Sequence, residues 1–556
     1  MDGYLKHRVD DKHIEKTTPV RVILGVVVLL CLLGFFVYGR GLSERGFEWP
    51  DCAVHAMDGV LIHDYLAAGP QAWFNPLEFA YQQYARYPAL GIGIHYPPAF
   101  GIIEAGVFFV LGVSTMSAKA TVLGFSLLTL TATFLLLKRI CGIAASLIGA
   151  AFLLQMPLIV KWTRQAMLEM PTLAALTFSA FFFLRYLDKP SWKRLIPFTL
   201  VAAAAPFFKQ PAVFLLPVFF VWVLGRRKRN GIPVSHLVSA GIFLLVVVGG
   251  FFIVIFLSKG HVVHLVSQGR PLDKWFGWES WSIVLKSILS GAGYIAVVLA
   301  IGGLVAGSFR RTRVWYLGVF WLITCVLFNV LVQHKEDRFL FYSLQPLALG
   351  IGLLMETILA RIKKLTVTLT ATAAVLVVCT ASGFGQPKPV CRDFLPCVAP
   401  YRNVIQDEII MYVGKREPDF ILAVRQILGP KGAMVLRGSK LFYSCASDPR
   451  YEYQQYIHTV NEVDDIIERY APKAIFVEDE IAFGLEPERL VRQYLKQTDK
   501  YAMDKSVDIV TEPNQTPKKI HVYLRIAKSH RTARSIDLPV PIINNRIQVD
   551  LETLGF

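Results

Sequence analysis

Charge is the first thing this sequence is short of. Only 18% of its 556 residues are Asp, Glu, Lys or Arg, while 54% are hydrophobic; ordinary soluble chains carry roughly 25% charged residues. That balance excludes the string of soluble domains that the length alone would suggest. The mean hydropathy of +0.46 averages over the whole chain, so long stretches must be far more apolar. A polytopic membrane protein is the class that remains. Cysteine is also scarce, and no CxxC pair marks a metal knuckle. Cys31, Cys141, Cys325 and Cys379 lie inside apolar segments and read as small hydrophobes. A cleavable signal is missing: the run Val22–Tyr38 is followed by Gly-Arg-Gly-Leu-Ser-Glu-Arg, without a small-residue cleavage site, and reads as a retained first span. No internal repeat is evident, and ionisable residues gather at the ends of apolar segments. Both facts count against a transporter or lipid flippase.

What charge there is leans basic, with Lys+Arg 58 against Asp+Glu 41 and a net charge of +17. In a soluble chain that excess would suggest nucleic acid. In a membrane chain it marks the short cytoplasmic loops, and nucleic acid is not expected as a partner. Apolar segments able to cross ~30 Å of hydrocarbon fall at about 20–39, 118–137, 143–160, 171–187, 195–208, 211–225, 234–257, 289–307, 314–333, 339–359 and 365–381. A shorter stretch, 99–113, carries Glu104. Basic clusters stand at Lys138-Arg139, Arg185 to Arg194, Arg226 to Arg229, Arg310 to Arg313 and Arg361 to Lys364. They share one side, together with the N-terminal arm, if 99–113 dips into the membrane face without crossing. Eleven crossings follow, with the N-terminus cytoplasmic and the C-terminus outside the cytoplasm. The expected domains are a membrane part, 1–382, with a large outer loop at 40–98, and an extracytoplasmic part, 383–556.

The tail is of different material. Strand-like runs at Ala433–Arg437, Ala474–Val477 and Ile520–Leu524 alternate with helical patterns at Asn461–Tyr470 and Pro487–Lys496. In the first of these, Val463, Ile466, Ile467 and Tyr470 share a helical face, with Asn461 a candidate N-cap. The alternation predicts a small α/β domain, and Arg531–Phe556 reads as an extended or peripheral end. It holds no Gly-rich phosphate loop, catalytic serine motif or metal-ligand cluster, so a structural or acceptor-guiding role is expected. Five residues separate Cys391 from Cys397, a spacing that permits a disulfide, with Cys445 a competitor for either partner.

Chemistry concentrates in the outer loops. If the stretch after Pro50 is helical, Asp51, His55 and Asp58 fall on one face at i, i+4 and i+7. Two carboxylates and an imidazole there could manage a proton or a cation. Equally, Asp51 could be a helix N-cap with polar neighbours facing water. The loop closes on His95-Tyr96-Pro97-Pro98. Other expected outer mouths carry Arg164-Gln165-Ala166-Met167-Leu168-Glu169-Met170-Pro171, Lys209-Gln210-Pro211 and Lys335-Glu336-Asp337-Arg338-Phe339. A basic residue at a helix end is most often a snorkelling anchor; the order and common side of these clusters carry more than any one of them.

That order resembles the GT-C fold glycosyltransferases, in the branch shared by protein O-mannosyltransferases and lipid A aminoarabinose transferases. The resemblance covers roughly residues 20–380. It implies a mainly α membrane bundle with a C-terminal soluble α/β domain, a polyprenyl-monophosphate-linked sugar as donor, and transfer at the extracytoplasmic face of the plasma (bacterial inner) membrane. The acceptor would be a protein, a glycolipid or a polysaccharide. By this likeness Asp51 and Glu169 match acidic catalytic positions, and Lys209, Lys335 and Arg338 match basic positions near the donor phosphate. His55, Asp58, Tyr96 and Arg164 are the expected substrate contacts. The sequence departs from the family once: the first loop often carries Asp-Glu, and here the second position is Cys52. His95 stands where some relatives carry a metal-ligating Glu, so a divalent metal ion is the one cofactor left open. A phosphate leaving group calls for cations, and an acceptor hydroxyl calls for a carboxylate to take its proton; Asp51 is the expected base, with Glu169 orienting sugar or acceptor. A transporter, or a catalytically silent scaffold, is the alternative.

Overall fold

The computed structural model describes residues 18–91, 96–226, 231–253, 277–310, 312–331, 336–445, 453–481, 484–509, 518–528, 531–540 and 545–556. They fall into two compact units. The first takes in the described residues of Met1–Leu42, Lys119–Val254 and Ser267–Lys388; the second takes in those of Ser43–Ala118 and Pro389–Phe556. The outer loop and the tail therefore belong to one unit.

The first unit is helical. Among the described residues of the chain, 7 helices are long and apolar enough to cross a membrane, or up to 9 if each of two bent pairs is one span. Two expected spans are corrected in form. The segment expected at 143–160 is a pair, Ile143–Leu154 and Pro157–Thr163, bent by 66°; Pro157 has no amide to donate and restarts the helix at its first position. The segment expected at 289–307 runs across a 103° bend. There Gly293 sits at φ +86 between the helices Trp278–Ala292 and Tyr294–Arg310, a backbone conformation that glycine adopts without strain.

One helix measures the unit. Glu169–Asp188 has 20 residues, hence a length of about 30 Å at 1.5 Å per residue, the thickness of the hydrocarbon core. At its C-terminal end Asp188 accepts from Arg313 at 2.9 Å and is also paired with Arg139. Three loops expected on the cytoplasmic side thus meet at one end. Elsewhere the helices approach closely through small residues, as membrane helices do: a Cβ on Gly303 would lie 1.8 Å from the carbonyl oxygen of Gly350.

The second unit is built around a five-stranded sheet in the order β2-β1-β5-β7-β6. Its strands are β1 (Glu408–Val413), β2 (Ala433–Arg437), β5 (Ala474–Glu478), β6 (Tyr501–Asp508) and β7 (Lys519–Arg525). Two short strands, β3 (Tyr443–Ser444) and β4 (Gln454–Gln455), pair apart from it, and β8 (Ser535–Val540) and β9 (Asn545–Asp550) form an antiparallel pair. β1 pairs in parallel with β2 and β5, while β7 is antiparallel to β5 and β6. β1 lies between two neighbours and is buried along nearly its whole length, which is why it reads as an unbroken apolar run. The helices Glu417–Leu428, Val460–Tyr470 and Glu486–Gln497 complete the α/β pattern. The N-cap of Val460–Tyr470 is Thr459, in a capping box with Glu462; Asn461, the expected cap, sits inside the helix. Among the described residues Cys391, Cys397 and Cys445 form no disulfide with one another, so the permitted bond is not made here.

The short helix Ala99–Leu111 has 13 residues, about 20 Å, too short to cross ~30 Å of hydrocarbon. Single cysteines labelled from outside the cell should therefore react near residue 117 and be protected near residue 140. The reverse pattern would invert the assigned side of every later loop.

Candidate active site

In the first unit, the opposite end of Glu169–Asp188 from the Asp188 cluster carries the candidate donor-side group. Glu169 opens the helix and is fully buried. Lys209 Nζ donates to Glu169 Oε1 at 2.5 Å. The lysine stands at the break between the helix Trp192–Phe208, with Pro197 and Pro206 inside it, and the 3-10 turn Gln210–Leu215. Glu169 Oε2 is buried and meets no hydrogen-bond partner, so the carboxylate keeps acceptor capacity. Lys209 Nζ lies 5.7 Å from the centroid of the Phe339 ring, and the Arg338 guanidinium carbon lies 5.6 Å from the same centroid. Arg338 also pairs with Glu336. Two cations, one buried carboxylate and one aromatic ring thus converge, from three segments far apart in sequence. Lys335, expected beside them, lies outside the described residues.

Arg164 belongs to the same unit. Its guanidinium donates to the carbonyls of Val37 (2.9 Å), Pro387 (3.0 Å), Gln386 (3.2 Å) and Gly383 (3.3 Å). Those carbonyls end the helices Val20–Tyr38 and Leu365–Gly385, where backbone oxygens have no partner within the helix and a cation is favoured. The side chain is buried. Geometrically it ties the first of these helices to the last.

In the second unit the stretch after Trp49 is helical, Pro50–Ala67, with Pro50 and Asp51 in its first turn. Asp51, His55 and Asp58 accordingly share a face. Asp51 is half-buried, and His55 and Asp58 are buried. Asp58 Oδ1 accepts from the amide of Gly91 at 2.7 Å, and the Tyr96 amide donates to the Gly91 carbonyl at 3.0 Å. The His55 and Tyr96 rings meet edge-on, 4.2 Å between centroids. Asp58 and Tyr96 are thereby both tied to Gly91, and His95 lies outside the described residues. Among the described residues no group of three or more His, Cys, Asp or Glu is placed to hold a metal ion. Glu104 from Ala99–Leu111 is buried with both carboxylate oxygens lacking a hydrogen-bond partner, packed on Gly59.

A set of arginines that spacing could not single out joins this helix to the tail. Arg425 donates to both oxygens of Asp64, at 2.5 and 2.9 Å, near the far end of Pro50–Ala67. Arg416 donates to the carbonyls of Glu48 (2.7 Å) and Phe47 (2.8 Å) ahead of its start, and to Asp419 Oδ1 at 2.9 Å. Burial pushes the Asp419 carboxyl up to about 6, although Arg416 beside it pulls the other way. Arg437 reaches the Pro88 carbonyl at 2.5 Å, and Tyr87 donates to the Gly429 carbonyl at 2.7 Å.

Comparison with known proteins agrees with this architecture. Residues 95–251 match the profile of the Dolichyl-phosphate-mannose-protein mannosyltransferase family. The crystal structure of ArnT from Cupriavidus metallidurans in the apo state superimposes with a TM-score of 0.60 at 12% sequence identity, covering 90% of this chain and 98% of that one. The structure of the same protein bound to undecaprenyl phosphate gives a TM-score of 0.61 at 12% identity over the same shares. No curated protein sequence matches the chain. The chain therefore has the GT-C fold, in a multi-pass membrane protein with a C-terminal α/β domain, and the resemblance seen in the sequence is borne out.

Proposed function

We propose that this chain, built on the GT-C fold, transfers a sugar from a polyprenyl-monophosphate carrier to an acceptor at the extracytoplasmic face of the inner membrane. The observation that carries the proposal is the group formed by Glu169, Lys209 and Arg338. A buried carboxylate with one oxygen on a lysine and the other still able to accept can hold a sugar hydroxyl. The two cations beside it offer charge to a phosphate. The ArnT structure bound to undecaprenyl phosphate supports the same donor chemistry.

In the reaction we assign, the acceptor oxygen attacks C1 of the sugar as Asp51 takes its proton. The bond from C1 to the phosphate oxygen breaks, and the phosphate monoester leaves with the electron pair. A single displacement inverts the anomeric centre. Lys209, Arg338 and Lys335 stabilise the charge that grows on the leaving oxygen. His55, Asp58 and Tyr96 hold substrate around Asp51. His95 is the residue that would ligate a divalent ion, which would supply positive charge to oxygen atoms of the substrate. Arg164, tied to four carbonyls, would contribute by keeping the bundle end in shape.

The test is direct. Purified protein in lipid, given a radiolabelled polyprenyl-phosphate sugar and a panel of protein, glycolipid and polysaccharide acceptors, should release polyprenyl phosphate and label one acceptor class with the opposite anomeric configuration. Movement of intact carrier across the bilayer without cleavage would indicate a flippase instead.

A further inference from the structure

We propose that the tail domain belongs to the catalytic apparatus, with Arg416 a positioning residue that sets where the Asp51 carboxylate stands. The proposal rests on the reading of Asp51 as the base. In open α/β sheets the crevice at the carboxyl ends of the parallel strands is where ligands usually bind. Here that edge is turned on the chain's own outer loop. Arg416 follows β1, Arg437 ends β2 and Glu478 ends β5. Arg416 and Arg437 grip loop carbonyls, and Glu478 pairs with Arg392 at 3.7 Å. The amide of Arg392 in turn donates to the Phe47 carbonyl at 3.1 Å.

What makes this grip bear on Asp51 is the stiffness of the chain between them. Glu48, whose carbonyl Arg416 holds, is three residues before Asp51. Pro50 has its φ fixed by its ring and restricts Trp49 to the extended region; Trp49 is found at φ -108, ψ 136. From Asp51 onward the backbone is helical. No free hinge remains between the Glu48 carbonyl and the Asp51 backbone. The segment is also pinned upstream, because Gly46 sits at φ +75 with its Cα so close to Arg392 that a Cβ would lie 1.8 Å from the Arg392 carbonyl oxygen. Downstream, the Asp64–Arg425 pair fixes the other end of the helix. Arg416 is itself only 3% exposed and is oriented by Asp419. A guanidinium can serve two adjacent carbonyls and a carboxylate at once from a fixed plane; an ammonium cannot reproduce that fork.

The test uses the full-length protein in lipid, with Arg416→Met and Arg416→Lys alone and each combined with Asp51→Asn. Displacement of a reacting group by about 1 Å can cost about 100-fold in rate. Arg416→Met should therefore lower kcat by about that factor, normalised to folded protein, while donor KM stays near wild type; the melt falls as well, because Asp419 and two carbonyls lose their partner. Arg416→Lys should fall between the two. In the Asp51→Asn background neither change should lower the residual rate further, because Arg416 acts through Asp51. Wild-type kcat in Arg416→Met, or a further fall in the double variant, overturns the inference and leaves the base assignment standing. Should Arg416→Met fail to fold, Arg416→Lys decides alone, and wild-type kcat there overturns it equally. Normal turnover of Asp51→Asn removes the base reading itself, and this inference with it.

Discussion

Asp51→Asn should lower sugar transfer by about 10²–10⁴-fold, the range expected when a positioned proton acceptor is lost. The protein should still insert and fold. Asp51 lies in the first turn of Pro50–Ala67, where the neutral amide forfeits a favourable charge at a helix N-terminus, about 0.3–1 kcal/mol, and keeps the shape of the side chain. A large kinetic effect over a small stability effect separates a base from a residue that merely starts a helix. The measurement is turnover with saturating donor and acceptor, normalised to protein that melts normally. More than about a tenth of wild-type turnover would remove Asp51 from the role. Asp58→Asn makes a useful contrast: that carboxylate accepts from the Gly91 amide, a bond that an amide oxygen can still accept.

How far this arrangement could be read from the sequence depended on the range of the interaction. Local signals carried well. Pro50 followed by polar residues at helical spacing did mark the helix bearing Asp51, His55 and Asp58, and the apolar runs at Ala433–Arg437 and Ala474–Val477 did mark β2 and β5. β6 gave no such signal, because an edge strand paired on one side is largely exposed and reads Tyr-Ala-Met-Asp-Lys-Ser-Val-Asp. The cap at Thr459 was legible as Thr-x-x-Glu, yet the nearer Asn461 distracted from it. Gly293 lay inside an apolar window, and hydropathy alone cannot tell a bend from a straight span.

Long-range pairs were legible only as candidates. Glu169, Lys209 and Arg338 came into view by their places at span ends, and their meeting around Phe339 needed the fold. Arg416 and Arg425 stood in the tail with no motif around them. Their partners, Phe47, Glu48 and Asp64, are more than 350 residues away, beyond any rule of spacing. Buried arginines on backbone carbonyls also leave no compositional trace: nothing in the residue type distinguishes Arg164, which binds four carbonyls, from Arg338, which stands beside Lys209 over one ring.

That contrast frames the second large effect. Arg338→Ala should lower kcat as well as donor affinity, because charge on the leaving phosphate oxygen is greater in the transition state than in the bound substrate. Arg338 is placed for such a role, with its guanidinium 5.6 Å from the Phe339 centroid and Lys209 on the same ring. It also pairs with Glu336, and a planar guanidinium can serve a carboxylate and a phosphate oxygen together. The competing view is that Arg338 snorkels to the interface and holds its helix in depth. The two views part on Arg338→Lys. Lysine anchors a helix end as well as arginine does, so an anchor predicts nearly full activity from the substitution. A clamp predicts partial rescue, since a point charge restores attraction without the paired contacts of a guanidinium. Removing one preorganised donor to a developing oxyanion costs about 10²–10³ in kcat, which sets the scale for Arg338→Ala. Arg338→Lys should recover part of that loss in kcat while donor KM returns almost to wild type, and full recovery of both constants would assign Arg338 to the membrane interface rather than to the phosphate.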